Sequence, residues 1–183
     1  MTGLRRLWAW PWELRRSGVL GLNRRNAEYL ARCNPRRLYP RVDDKSLTKA
    51  ICEQHGIPVP QTYAHIRSYG DLALLARILG DRQQFVVKPA HGAAGRGILV
   101  IERQDGVRFH AAGGETLSLD HLRYHLSGIL SGLYSLAGQP DTILVERRVQ
   151  IHPVFRDLAV GGTPDVRIIV YRGVPVLAML RLP

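Results

Sequence analysis

Apolar and polar positions along the chain change period near residue 85. Before that point apolar residues recur at helical spacing. Asn23 to Arg32 predicts a short helix with Ala27, Leu30 and Ala31 on one face. Val42 to Gly56 predicts another. Asp43 and Asp44 stand at its start, where exposed N–H groups and the helix dipole favour negative charge. Leu47, Ala50 and Ile51 form its stripe, and Gly56 stops it. Ile57-Pro58-Val59-Pro60 must be extended. A further helix is expected from Asp71 to Leu79, ended by Gly80. Beyond it the pattern is that of strands. Phe85-Val86-Val87-Lys88 is a short apolar strand broken by Pro89, a Gly-rich loop spans Ala90 to Gly97, and Ile98 to Ile101 is a second strand. Asp105-Gly106 signals a hairpin turn into Val107 to His110. Ser118 caps a helix over Leu119 to Leu130, and Ile143 to Glu146 is another strand. Val166 to Tyr171 and Val174 to Leu180 flank Arg172-Gly173 as a last hairpin. Paired strands with intervening helices predict an α+β fold rather than a doubly wound parallel sheet.

Composition adds a sign to this outline. The 183 residues are 45% hydrophobic, a globular value. The 26 Lys and Arg outweigh 15 Asp and Glu, giving +11. Nucleic acid, an anionic membrane surface, or small phosphorylated or acidic ligands would each answer that charge, as would a solvated basic surface. No zinc-finger spacing, aromatic RNA-binding signature or basic-zipper heptad occurs, so no nucleic-acid partner is expected. Residues 1–40 form a basic arm with arginine pairs at 5–6, 15–16, 24–25 and 36–37, and with Trp8, Trp10 and Trp12. This mixture suits a membrane surface or an arm that packs on the body or frays. It lacks the apolar run of a signal peptide, and nothing approaches the ~18 residues of a membrane span. Two lone cysteines, Cys33 and Cys52, point to a reducing, cytoplasmic setting.

One segment carries chemistry. Lys88 ends an apolar strand, where a buried ammonium needs an anionic partner. The loop that follows holds Gly92, Gly95 and Gly97 between Ala93, Ala94 and Arg96, so its N–H groups can approach an anion closely. A Walker A loop and a dinucleotide fingerprint both open a helix; this loop lies between two strands. It reads as a flap over a phosphate chain, or as an ordinary hairpin turn beside a surface lysine.

Five elements in order then resemble the ATP-grasp ligases: Asp44-Lys45 at a helix start, Val87-Lys88-Pro89, the glycine loop, Val145-Glu146, and Asp165-Val166-Arg167. Leu22 to Asn26, Val42 to Lys45, Pro164 to Arg167 and Met179 to Pro183 look like the α-L-glutamate ligase branch, ribosomal-protein-modification type. The resemblance implies an α+β ATP-grasp fold: helices and an antiparallel lid over residues 41–145, then the start of a larger antiparallel subdomain over 146–183, incomplete. It implies ATP and Mg²⁺ as cofactors and a small carboxylate, amine or peptide as partner. The chemistry would be carboxylate–amine ligation through an acyl phosphate.

By the same resemblance, Lys45 would reach the α-phosphate and Lys88 would contact the α- and β-phosphates. Gly92, Ala93, Ala94, Gly95, Arg96 and Gly97 would close over the β- and γ-phosphates. Glu146 would open the hinge, and the backbone of Arg147 to Val149 would meet the adenine edge. Arg167 would stabilise the transferred phosphoryl group, Asp165 would orient Arg167 or a neighbour, and Arg181 would contact substrate. Metal ligands are expected after the last of these strands, past Pro183, so the chain reads as truncated.

Blander alternatives stay open: a solvated Lys45, Glu146 paired with Arg147 or Arg148, and Asp165 with Arg167 as a surface ion pair. His121 and His125 are expected on a helix surface, and His91 is the histidine placed to touch nucleotide. A nucleotide-binding module without catalysis, and a basic nucleic-acid or membrane-surface binder acting through the Arg-rich first forty residues, are the alternative functions.

Overall fold

The computed structural model describes residues 9–92, 94–135, 138–158 and 162–182. Ala93, Trp8 and Pro183 lie outside them. The chain forms two compact units, Met1–Pro40 and Arg41–Pro183.

The first unit is helical. Helix α1 spans Pro11–Arg16; Trp10 precedes it and stacks on Trp12 with ring centroids 4.8 Å apart. Helix α2, Leu22–Arg24, continues through a π-helical stretch, Arg25–Leu30, into α3, Ala31–Cys33. Arg24 and Glu28 pair along it at 2.8 Å. The single expected helix is therefore present but changes register in its middle.

The second unit opens with α4, Pro40–Asp43, and α5, Lys45–Gln54. Asp44 is the N-cap of α5 and accepts from the N–H groups of Ser46 and Leu47, so one expected acidic residue caps and the other closes the preceding turn. Strand β1, Thr62–Ile66, follows the proline-rich link; its weak alternation hid it from the sequence reading. The predicted helix after it is broken at Leu74 into α6, Tyr69–Ala73, and α7, Leu75–Leu79. A capping box of Ser68 and Asp71 starts α6, two residues earlier than expected.

Five further strands complete a six-stranded antiparallel sheet in the order β1-β6-β2-β3-β4-β5. They are β2 (Phe85–Pro89), β3 (Leu99–Asp105), β4 (Arg108–Ala111), β5 (Thr116–Ser118) and β6 (Ile143–Glu146). Pro89 does not break β2, because Pro89 pairs opposite Ile143 and Ala90 resumes the ladder by donating to Thr142 O at 2.9 Å. Helix α8, Leu119–Leu130, is capped by Ser118 as expected.

The core lies on one face of this sheet. Phe85 and Val87 of β2, Ile143 and Val145 of β6, and Leu122, Leu126 and Ile129 of α8 are all essentially inaccessible. Strand period two sends the alternate residues, Val86, Lys88 and Glu146, to the opposite face. A separate two-stranded hairpin pairs β7, Asp165–Tyr171, with β8, Val174–Arg181. All of its residues are exposed, Val176, Leu177 and Met179 included. The fold is α+β with an antiparallel sheet.

Candidate phosphate and nucleotide site

The face opposite the core carries a charge cluster. In antiparallel register Val86 lies across from Glu146 and Lys88 across from Leu144, so Lys88 and Glu146 are diagonal neighbours. Lys88 Nζ sits 2.6 Å from Glu146 Oε2. The other carboxylate oxygen, Oε1, takes Lys49 Nζ at 2.8 Å. Lys49 also donates to Pro60 O. Glu146 is 2% exposed and Lys49 8%, so neither pairs at a solvated surface. Glu146 lies on an interior strand, which removes the surface pairing with Arg147 or Arg148 as its role. Lys49 had no signal in the sequence: its spacing on α5 is that of an ordinary helical lysine.

Lys45, first residue of α5, turns toward the start of the glycine loop. Its Nζ donates to Gly92 O at 2.6 Å and Ala90 O at 3.1 Å, and its N–H to Ala90 O. Burial, and then the Lys88 ammonium, push its pKa below the ordinary lysine value. Lys49 and Lys88 thus share one buried carboxylate, which leaves that triad with one positive charge to offer an anion, and Lys45 lies in the field of Lys88, Asp141, Asp44 and Glu146.

The loop between β2 and β3 is fixed at both roots. Gly92 bridges to Ser135. Gly97 has φ +76°, and a Cβ there would stand 2.7 Å from the Tyr134 ring, so only glycine fits. His125 donates its Nε2–H to Gly97 O at 3.1 Å, which makes it a support of the loop root rather than the helix-surface residue expected. Between the roots Ala94, Gly95 and Arg96 are exposed, and Ala94 has φ 56°.

At the N-terminal root His91 is held by Asp141, a residue the sequence reading missed. The Asp141 side chain is fully buried and accepts from the backbone N–H groups of His91 and Thr142 and from the His91 ring Nδ1 at 2.8 Å. The other ring nitrogen lies 3.7 Å from Asp44. Nothing in the stretch Gln139-Pro140-Asp141 marks that aspartate beforehand.

Beside the cluster opens a cavity of about 500 Å³, with Val86 and Val100 of the sheet, Ile98 just before β3, Pro60 and Arg147 to Val149 around it. Such size and apolar walls suit a planar base. The N–H of Arg147 is already donated to Gln61 O at 2.8 Å, so it is not free for a base edge, one hydrogen serving one acceptor. The Val149 N–H has no such partner among the described residues. Arg148 closes one side through an ion pair of 2.6 Å with Glu102.

On the hairpin, Asp165 does not pair with Arg167. It takes Arg181 in a two-point contact, Nε to Oδ1 at 2.8 Å and Nη2 to Oδ2 at 2.9 Å, because cross-strand register sets these two opposite each other. That contact holds the Asp165 carboxyl below its usual range and raises Arg181. Arg167 is exposed opposite Met179. Among the described residues no three His, Cys, Asp or Glu side chains gather as a metal site. No helix among the described residues is long and apolar enough to cross a membrane.

An antiparallel sheet with a glycine loop between β2 and β3, a lysine near the end of β2 and a buried glutamate at the end of β6 is the arrangement expected of an ATP-grasp protein. The chain belongs to the sugar-transfer associated ATP-grasp family, whose model matches residues 24–183. Comparison with curated proteins and with solved structures gives no match.

Proposed function

We propose that the chain is the nucleotide-binding part of an ATP-dependent carboxylate–amine ligase, similar in chemistry to the glutamate ligases. The observation that supports this best is the pair of lysines, Lys49 and Lys88, on one buried carboxylate beside a glycine hairpin whose root is held by a third, Lys45. Phosphoryl transfer is mainly positioning and charge neutralisation, and these are the groups that supply both.

In this reading Lys88 and Lys45 hold the α- and β-phosphates. Gly92 to Gly97, with Ala93, Ala94, Gly95 and Arg96, close over the β- and γ-phosphates. The base enters the cavity beside the hinge, with the Arg147 carbonyl and the Val149 N–H at its edge and Glu146 behind it. Arg167 faces the transferred phosphoryl group, and Arg181, oriented by Asp165, meets the substrate. The terminal phosphoryl group passes from ATP to a carboxylate, giving ADP and an acyl phosphate. An amine then attacks the carbonyl carbon, phosphate leaves, and the amine nitrogen loses a proton. The closed loop keeps water from the acyl phosphate in between. Mg²⁺ bound with the nucleotide would add to the neutralisation of phosphate charge that the lysines supply. The family's description supports placing either the acid or the amine on a sugar-bearing substrate.

Calorimetry with ATP and Mg²⁺ tests the reading. The chain is expected to bind ATP and Lys88→Ala to lose most of that affinity; a folded chain that binds no ATP refutes it.

A further inference from the structure

Lys49 belongs to none of the motifs above, yet it is the most deeply placed ammonium of the site. Joining α5 to the sheet does not require a lysine there. An apolar side chain of similar length would do so without the cost of taking an ion out of water. What the lysine adds is charge and two directed donors, one to Pro60 O and one to Glu146 Oε1.

The carboxylate of Glu146 is divided. Oε1 faces Lys49 and Oε2 faces Lys88, at 2.8 and 2.6 Å. Two ammoniums on one carboxylate leave the cluster with one net positive charge. Without Lys49, Glu146 and Lys88 would form a closed neutral pair. Lys88 is the more exposed of the two lysines, so the surplus is presented on its side. Lys45 lies in the same field, since Lys88, Glu146, Asp141 and Asp44 all act on its ammonium.

We propose that Lys49 is a positioning residue that sets the charge of the phosphate site: by occupying one oxygen of Glu146 it leaves Lys88 an incompletely neutralised ammonium for the anion. Lys49 touches no ligand itself. This rests on the nucleotide reading given above. Its consequence is specific to phosphate, because a base in the neighbouring cavity carries no charge for the cluster to attract.

The test uses the full chain, with ATP and adenosine titrated into wild type, Lys49→Met and Lys49→Arg. Lys49→Met is expected to weaken ATP about tenfold, the order of one unit charge acting from just beyond contact distance. Adenosine is expected to bind unchanged, Lys49→Arg to retain ATP, and the salt dependence of ATP binding to flatten in Lys49→Met.

A second variant separates charge from structure. Lys49→Met combined with Glu146→Gln leaves Lys88 as the only charge of the Lys49–Glu146–Lys88 triad, restoring its one positive charge. Its ATP affinity should return toward wild type, and it also serves if Lys49→Met alone does not fold. Equal losses for ATP and adenosine, no loss for either, or no recovery in the double variant would each overturn the proposal. If wild type binds neither ATP nor adenosine, the nucleotide reading fails instead. Inorganic triphosphate then replaces ATP: binding that is lost in Lys49→Met upholds the charge role, and binding that is retained ends it.

Discussion

Replacing Glu146 by glutamine removes the charge on which two lysines depend. The carboxylate is 2% exposed, and its partners Lys49 and Lys88 have side chains only 10% and 21% exposed. Glutamine keeps the volume and one acceptor, so cavity formation does not enter. What remains are two ammoniums with no counter-charge, Lys49 keeping Pro60 O and competing with Lys88 for the one amide oxygen. Breaking a buried pair in this way costs about 3 kcal/mol or somewhat more. For a chain of this length that corresponds to a fall in Tm of roughly 10 °C. Thermal unfolding followed by circular dichroism reads it directly. Replacing Lys49, Lys88 and Glu146 together by apolar residues of similar size should cost less than the single change, since no charge is then left stranded. A Glu146→Gln variant melting within about 3 °C of wild type, under ~1 kcal/mol, would refute the claim that the cluster is dry and mutually dependent.

Other outcomes follow from the loop and its roots. Gly97→Ala must place a Cβ against the Tyr134 ring at φ +76°, and should lower stability by about 1–3 kcal/mol while moving the loop; denaturant unfolding checks it. Asp141→Asn should unfix the His91 ring, seen as a changed His91 imidazole signal by NMR and weaker ATP binding. Lys45 gives a pH dependence. Its pKa is lowered in the free protein, first by burial and then by Lys88, and a bound phosphate would raise it again. ATP binding should therefore take up a proton on the alkaline side, with affinity falling as pH rises through the lowered value. Calorimetry in buffers of different ionisation enthalpy measures this. The same lowering means the unfolded chain holds more protons there, so this group's part in stability grows as pH rises toward the ordinary lysine value.

Much of the fold was legible because its signals are local. The Asp44 cap, the Ser118 cap, the Asp105-Gly106 turn and the short apolar runs of β2 and β6 each need only a few neighbouring residues. Strand β1 was not, since Thr62-Tyr63-Ala64-His65 shows little alternation and exists because β6 pairs with it. The motif residues Lys45, Lys88 and Glu146 were legible as candidates, but their partners were not. Lys49, Asp141 and His125 acquire meaning only when α5, the segment before β6 and α8 come together. Asp165 illustrates the converse: two residues from Arg167 in sequence, it is paired by strand register with Arg181.

The place of β6 in the sheet has a kinetic consequence. It is the last strand of the six in the chain, yet it lies between β1 and β2. Its pairing with β1 joins Thr62 to Glu146, a separation of roughly eighty residues. As the chain leaves the ribosome, β2 to β5 can form a meander from neighbouring segments alone. Strand β1 must wait with both edges unpaired until β6 is made and inserted. Closing so long a loop before any contact rewards it makes this step slow, and the waiting edges of β1 and β2 are open to pairing with other chains. The strand that completes the charge cluster is thus also the one whose late arrival sets the pace of folding.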